Sequence, residues 1–263
     1  MRLRGSLFWG LVLILLATLL LLNQQGIIAG NIFGYFWPAV IIVLGLWLVL
    51  GVFTRGRPAV GKTISIPLEG AKSARIKLDH GAGRLKVRSG AAAGEILSGV
   101  FGNEVDYKSS LDGDRLDVKL RNSPEFWTWF PGDSLDWDVS LNRDVAISLK
   151  VDSGASASVL DLTDLKVVDL DIDTGASSTE VTLPAKAGNT HVDIDTGASS
   201  VVVRVPSGVS ARIRLKTGVS ATHVDTARFP HVDGGLYQSQ DFETAANRAD
   251  ITIDAGVGSI DIR

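Results

Sequence analysis

The chain of 263 residues contains no cysteine, which excludes disulfides, zinc–thiolate sites and a thiol nucleophile. It has only four histidines, and none of them forms the metal-binding pattern H-x-x-x-H or H-E-x-x-H. His80 directly precedes Gly81, and we interpret it as a turn residue. Because no nucleophile, base and oxyanion site come together, the sequence predicts a protein that is not an enzyme and has no cofactor.

Acidic residues are missing from the first 58 positions, which hold four arginines and no aspartate or glutamate. When those four are subtracted from the 26 basic residues of the chain, 22 remain against 29 acidic residues, a balance of −7. A nucleic-acid-binding protein needs a basic stripe on its surface. The composition therefore predicts no nucleic-acid partner.

Two long apolar runs occupy the same acid-free segment, Leu7–Leu22 and approximately Ile32–Phe53. Each approaches the ~20 residues that a membrane-spanning helix needs. A cleavable signal peptide is the alternative for the first run, but no small-x-small cleavage site follows it. We therefore predict a transmembrane helical hairpin over residues 1–54.

Arginines flank this hairpin and set its orientation. Arg2 and Arg4 precede the first run, Arg55 and Arg57 follow the second, and the turn between the runs carries no charge. Because positive residues stay on the cytoplasmic side, we expect a multi-pass membrane protein with its remaining residues in the cytoplasm. Residues 55–63 form a basic linker that can contact lipid headgroups of the bilayer.

A repeat organises the rest of the chain, and it is most regular in residues 149–225. Its units are anchored by Gly154, Gly175, Gly197 and Gly218, which lie 21, 22 and 21 residues apart. Two outlying copies surround Gly81 and Gly256. A fixed period of this length is typical of solenoids, in which each unit buries its apolar side against its neighbours.

Each unit alternates apolar and polar residues on both sides of its glycine, as Leu170 and Ile172 do before Gly175 and Val181 does after it. This period of two predicts two short strands joined at a glycine corner. A serine or threonine precedes each glycine and is expected to form hydrogen bonds at the corner. The sequence thus predicts an all-β domain over residues 64–263, a β-solenoid or rolled sheet with a narrow aliphatic core.

The segment before the regular repeats also alternates, in six short runs between turn residues. Asp112-Gly113 between two of these runs predicts a hairpin. The six predicted strands are Ile64–Leu68, Ala74–Leu78, Arg84–Arg88, Glu95–Phe101, Glu104–Ser109 and Arg115–Leu120.

Acidic side chains occupy the outward positions of the two central units: Asp171, Asp173, Asp193 and Asp195. If the units stack in chain order, these residues lie between Lys150 with Asp152 on one side and Arg214 with Lys216 on the other. Four carboxylates on one face could bind a hard cation such as calcium. The alternative, which we favour, is a solvated face that the neighbouring basic residues partly neutralise.

Aromatic residues cluster in one irregular segment, residues 122–137, at Phe126, Trp127, Trp129 and Phe130. One interpretation is a hydrophobic contact loop for a partner protein or the bilayer surface. The other, which we favour, is a lid over an open end of the solenoid, because repeat arrays need capped ends.

Several motifs resemble a known bacterial family. The Asn-Gln-Gln-Gly turn, Phe36-Trp37-Pro38 and Gly45-Leu46-Trp47 resemble the membrane region of LiaI/LiaF-like proteins. The Asp-Thr-Gly-Ala-Ser corners and the terminal Gly256-Val257-Gly258-Ser259-Ile260 resemble the LiaF C-terminal and toastrack β domains. The resemblance implies a membrane-tethered accessory protein of cell-envelope stress signalling, which in some members restrains a sensor histidine kinase. It implies no catalytic residues.

Three functional hypotheses follow. The first is a non-enzymatic, multi-pass protein of the bacterial inner membrane, in which the hairpin anchors a cytoplasmic sensing or interaction domain. Its expected partner is a sensor histidine kinase or another membrane protein. The second is a structural scaffold that forms homo-oligomers through the strand edges of its solenoid. The third, an enzyme acting on polymers, is disfavoured because the acidic residues recur with the repeat and do not form an isolated pair in a groove.

Overall fold

The computed structural model describes residues 61–123 and 135–263. The predicted hairpin and the aromatic residues Phe126, Trp127, Trp129 and Phe130 lie outside this part of the chain. The described residues form an all-β domain, as predicted, and its first strand begins inside the predicted linker. The strands are β1 (Lys62–Pro67), β2 (Ser73–Ser89), β3 (Glu95–Phe101), β4 (Val105–Asp112), β5 (Arg115–Asn122), β6 (Trp137–Leu141), β7 (Ala146–Asp161), β8 (Lys166–Thr182), β9 (Asn189–Arg204), β10 (Ser210–Val224), β11 (His231–Asp233), β12 (Leu236–Gln238) and β13 (Arg248–Ile262).

Each repeat unit is one long strand that runs through its glycine, where the sequence predicted two short strands. In β8, Leu170, Ile172 and Thr174 are buried before Gly175, and the buried alternation resumes at Thr179. The alternation therefore shifts by one residue at the glycine, so that both halves of the strand face the same core. We call the half before the glycine the first leg and the half after it the second leg.

Six such strands form a parallel ladder in the order β2-β7-β8-β9-β13-β10. Neighbouring rungs place equivalent residues side by side, as with Ile172 and Ile194. The prediction that the units stack in chain order is wrong at one point, because β13 lies between β9 and β10 and separates Ile194 from Leu215.

The physical reason for this insertion is the composition of the two strands. Every inward side chain of β13 is apolar and buried: Ala249, Ile251, Ile253, Ala255, Ile260 and Ile262. The corresponding positions of β10 include Thr217 and Thr222, which are exposed. Burial of apolar surface is worth about 25 cal/mol per Å², so the more apolar strand takes the interior position and the more polar strand takes the end.

Shorter strands cover the two ends of the ladder. On β2, β5 pairs with the first leg and β6 pairs with the second leg. The remaining partners are antiparallel, with β4 on β5, β3 on β6 and β1 on β3. At the other end, β12 pairs with the first leg of β10 only. Five of the six runs predicted between residues 64 and 121 correspond to separate strands or to the start of β2, and the sixth, Arg84–Arg88, is the second leg of β2.

The repeat glycines are required by close packing between rungs, where the sequence suggested a special backbone conformation. A Cβ on Gly175 would lie 2.8 Å from the carbonyl oxygen of Gly154, and one on Gly197 would lie 2.9 Å from that of Gly175. Only Gly81, at a bulge in β2, also needs the left-handed region, with φ of +75°. The glycine column therefore lets successive corners stack.

Hydroxyl groups line the inside of the corner, as predicted from the residues that precede the glycines. Thr174 donates to Thr196 at 3.1 Å across neighbouring rungs, and Ser177 donates to Thr174 at 2.9 Å. Ser153 and Ser156 share a hydrogen bond of 2.9 Å. These bonds satisfy side chains that are otherwise closed to water, so a polar corner is compatible with the aliphatic core beside it.

Candidate functional site

A column of five aspartates runs across the outer face of the first legs. Register places Asp79 beside Asp152, Asp152 beside Asp173, and Asp173 beside Asp195, with Asp254 following Asp195. Strands in a sheet are about 4.8 Å apart, so each of the three inner carboxylates, Asp152, Asp173 and Asp195, has a like charge on both sides. We call this column the aspartate ladder. Lys216 ends the column beside Asp254.

The insertion of β13 changes the charge pattern expected from chain order. The predicted acidic residues Asp171, Asp173, Asp193 and Asp195 do lie together on β8 and β9. The basic strand β10 does not lie against them, because Thr252 and Asp254 of β13 come between. The acidic face is thus wider than the sequence indicated.

Among the described residues, ion pairs reach only one member of the aspartate ladder, Asp152. Lys150 lies 2.7 Å from Asp171 and 3.7 Å from Asp152, and Lys77 pairs with Asp152. The hydrogen bond to Asp171 and the attraction of the nearby carboxylates raise the pKa of Lys150, so it stays charged. Within the described residues, Asp193 forms no ion pair, and neither do the other four aspartates of the ladder, Asp79, Asp173, Asp195 and Asp254.

A shallow pocket of about 360 Å³ lies along the part of the aspartate ladder that runs from Asp173 to Asp254. Over residues 61–123 and 135–263, no three histidine or acidic side chains are arranged to hold a metal ion. Cation binding by the four predicted aspartates therefore stays a prediction. The pocket is lined by Lys150, Asp171, Asp173, Asp193, Asp195, Lys216, Thr252 and Asp254.

A second group of polar side chains lies where β2 changes direction, and sequence analysis missed it. His80, interpreted as a turn residue, is at a bulge but fully buried. Its Nε2 lies 2.9 Å from the carbonyl oxygen of Leu135, and its ring contacts Trp137 edge-on at 5.0 Å. Burial is the main cause that lowers the pKa of His80, against weaker opposing effects of the Leu135 hydrogen bond and Asp136.

Side-chain amides connect this histidine to neighbouring strands. Trp137 Nε1 donates to Asn103 Oδ1 at 3.0 Å, and Asn103 Nδ2 donates to Asn122 Oδ1 at 3.0 Å. Asn122 Nδ2 in turn donates to the carbonyl oxygen of His80. We call these four residues the polar hub. Its members are far apart in the chain, so no local sequence pattern predicts that they contact one another.

The polar hub lies beside the described residues that flank segment 124–134. Asn122 lies two positions before that segment, and Trp137 lies three positions after it. Ser123 N donates to Glu104 O at 3.1 Å. Lys62, close to the first described residue, pairs with Glu104 at 3.8 Å. The first strand of the domain and the described residues on both sides of segment 124–134 are thus linked to one another at one edge of the domain.

Residues 56–63 match the phosphate-binding motif G-x-x-x-x-G-K-T, which sequence analysis did not identify. Such a loop binds phosphate when it leads from a strand into a helix. Lys62 and Thr63 instead lie within β1, which pairs with β3 in antiparallel register. The described part of the pattern therefore lacks the structural context for phosphate binding.

Two family models match the chain and agree with the resemblance noted from its motifs. The N-terminal domain of toast_rack (DUF2154) matches residues 55–204, more than half of the chain. The LiaI-LiaF-like transmembrane region matches residues 7–49. No curated protein matches the chain significantly. In the part of the chain that the structure describes, no helix is long and apolar enough to span a bilayer.

One similar solved structure is the crystal structure of a putative cell adhesion protein from Clostridium sporogenes ATCC 15579. The TM-score is 0.68 at 18% sequence identity, and the match covers 76% of this chain and 97% of that one. At this identity the likeness concerns the fold alone.

Proposed function

We propose a function from one premise: the chain belongs to the family of the toast_rack N-terminal domain and carries a LiaI-LiaF-like transmembrane region. The protein is a non-enzymatic, membrane-anchored accessory component of bacterial cell-envelope stress signalling. Its β domain is an interaction module that contacts a membrane protein, of which a sensor histidine kinase is the first candidate.

The observation that supports an interaction role is that the ladder aspartates from Asp173 to Asp254 form no ion pair within the described residues. Asp173, Asp195 and Asp254 lie side by side on neighbouring strands, and none of the three forms an ion pair within the described residues, although Lys216 lies beside Asp254. Like charges on neighbouring strands oppose pairing. A basic segment of a partner would relieve this repulsion and would gain from electrostatic steering. Cytoplasmic segments next to membrane spans are rich in lysine and arginine, so they are chemically suited to this surface.

The test is an envelope-stress reporter in cells that lack the native gene and carry variants of the full-length protein. We expect Asp173→Asn, Asp195→Asn and Asp254→Asn together to change reporter output at least several-fold while the protein stays folded. The matched control is Asp233→Asn, which removes an exposed carboxylate in β11, away from the ladder. We expect the control to leave the reporter unchanged. If the triple variant also leaves it unchanged, or if the control changes it equally, the ladder has no signalling role.

The orientation of the β domain needs its own experiment. The arginines around the apolar runs support a cytoplasmic domain. Because the chain has no cysteine, Ser200→Cys would introduce a single exposed thiol. We expect a membrane-impermeant maleimide to label it only after spheroplasts are permeabilised. Labelling of intact spheroplasts would place the domain outside and contradict the proposal.

A structural scaffold is the second candidate. It is favoured by the second leg of β10, which pairs with β13 on one side and has no strand partner on the other within residues 61–123 and 135–263. The other end of the ladder argues against it. A scaffold that grows by end-to-end stacking needs two open ends, and β5 and β6 already cover β2. Size-exclusion chromatography in detergent separates the two candidates. Small discrete species support the signalling module, and open-ended polymers support the scaffold.

A further inference from the structure

One strand edge of the ladder is left unpaired. The second leg of β10, Gly218–Val224, pairs with β13 on one side. On its other side it has no strand partner among residues 61–123 and 135–263. The first leg differs, because β12 pairs with it and Leu215 N donates to Gly235 O at 2.9 Å. We call Gly218–Val224 the open edge.

The open edge lacks the features by which proteins protect exposed strands. Such strands normally carry charged side chains or proline, which hinder pairing with another chain. The outermost strand β4 has Asp106, Lys108 and Asp112, and β1 ends at Pro67. The open edge has neither a proline nor an acidic, lysine or arginine residue, and its Val219 is 78% exposed.

Inward side chains at this edge resemble those that are covered elsewhere in the ladder. Thr217, Ser220 and Thr222 occupy the positions that Thr174, Ser177 and Thr179 occupy in β8. The β8 hydroxyls are hydrogen-bonded to one another at 2.9 and 3.3 Å. Ser220 Oγ is closed to solvent and has no hydrogen-bond partner within the described domain. The last rung therefore has an interior surface that a further strand would complete.

We propose that a second copy of this chain covers the open edge, with the two edges antiparallel about a two-fold axis at Ala221. This register keeps inward residues opposite inward residues, so Ser220 faces the partner's Thr222, a hydroxyl that can bond to it. Side chains on the solvent side also match, with Val219 opposite the partner's His223.

Charges at the two ends of the open edge favour this antiparallel arrangement. Lys216 precedes the edge, and Asp225 follows it; neither forms an ion pair within the described residues. Antiparallel pairing brings Lys216 near the partner's Asp225 at both ends, whereas parallel pairing would set like charges together. The two-fold arrangement is also closed, because it uses the same edge on both copies.

Seven residues from each strand bury less surface than a standard protein interface. We therefore expect a weak dimer that forms because tethering to one membrane raises the local concentration of the domains. This inference does not depend on the signalling role, since it rests on the strand edge alone.

Cysteine cross-linking of the full-length protein in native membranes tests the dimer. Ala221→Cys would place the only thiol of each chain at the two-fold axis, within reach of its copy. The control is Ser200→Cys, at the equivalent position two rungs inside the ladder. Under mild oxidation we expect a disulfide-linked dimer for Ala221→Cys, at least tenfold more than for Ser200→Cys. Equal cross-linking of the two would overturn the proposal.

A second variant checks that the strand edge itself carries the contact. Thr222→Lys puts a charge on the inward side of the open edge, at a residue that the single domain leaves exposed. In the Ala221→Cys background we expect it to reduce the disulfide-linked dimer at least fivefold. Thr244→Lys, an exposed control outside the strands, should leave the dimer unchanged. If Thr222→Lys leaves cross-linking unchanged, edge pairing is wrong.

Discussion

Ile253 lies directly beside Ile194 in the parallel ladder, although 59 residues of chain separate them. Both side chains are buried, and the next rung on the far side of Ile253 presents Leu215. Strand β13 is therefore an interior rung, and the core between β9 and β10 is not complete until residues 248–262 are in place.

This position predicts that Ile253→Ala is strongly destabilising. The side chain is fully buried, and loss of such a group with its cavity costs about 2–5 kcal/mol. The measurement is thermal or urea unfolding of the purified protein in detergent. The control is Val257→Ala in the same strand, where the side chain is 56% exposed and the expected loss is small. Equal losses would mean that β13 is not an interior rung.

The stacked corners predict that Gly175→Ala destabilises the domain by about 1–3 kcal/mol. The added Cβ would lie 2.8 Å from the carbonyl oxygen of Gly154, so the rungs would have to move apart. Gly94→Ala is the matched control, because its Cβ would meet no atom within 4 Å and its backbone does not require glycine. The measurement is the free energy of unfolding of both variants. Equal values would mean that contact between rungs is not the reason why position 175 needs glycine.

Buried His80 predicts a dependence of stability on pH. Burial lowers its pKa below the ordinary value of about 6.5, so the unfolded chain takes up a proton before the folded one does. Its contribution to stability is therefore complete above about pH 6.5 and decreases as pH falls towards the lower pKa of the folded state. Nε2 donates to Leu135 O, which leaves Nδ1 to receive the added proton without an acceptor in the described domain.

The measurement compares unfolding free energies at pH 7.5 and pH 5.5 for the native protein and two variants. We expect His80→Gln to reduce the difference between the two pH values. His191→Gln, which changes an exposed histidine, should retain it. An unchanged difference in His80→Gln would show that other groups cause the pH dependence.

The two interpretations of the aromatic residues Phe126, Trp127, Trp129 and Phe130, a lid or a contact loop, can be separated by measuring stability and binding together. Because β5 and β6 already cover β2, a lid is not needed to close that end of the ladder. We therefore expect Phe126→Ser, Trp127→Ser, Trp129→Ser and Phe130→Ser together to leave the unfolding temperature nearly unchanged and to weaken binding to liposomes or to a partner protein. A large loss of stability with binding intact would instead favour the lid.

Much of the fold could be predicted from sequence because strand alternation and glycine spacing are visible within short segments of the chain. The alternation around Leu170 and Ile172 indicates a strand with one buried face, and the spacing of Gly154, Gly175 and Gly197 indicates stacked units. The grouping of Asp171 with Asp193 followed from the same register. The family resemblance, confirmed by the two family matches, rested on these corners and on the apolar runs.

Other features could not be predicted, because they depend on which distant segments meet. No local pattern distinguishes a buried His80 from a turn histidine, since its burial depends on Trp137 and Leu135. Likewise, the width of the acidic face depends on Asp254, which enters the aspartate ladder only because β13 is an interior rung.

The sequence alone determined that this protein has rungs of about 21 residues with an aliphatic inside, since strand periodicity and glycine spacing are properties of each segment. Only the tertiary structure decided the order of the rungs and the edge that stays open. The order is a competition between segments for burial: Ile253 and Ile260 gain more from an interior position than Thr217 and Thr222 would, so β13 displaces β10 to the end of the ladder.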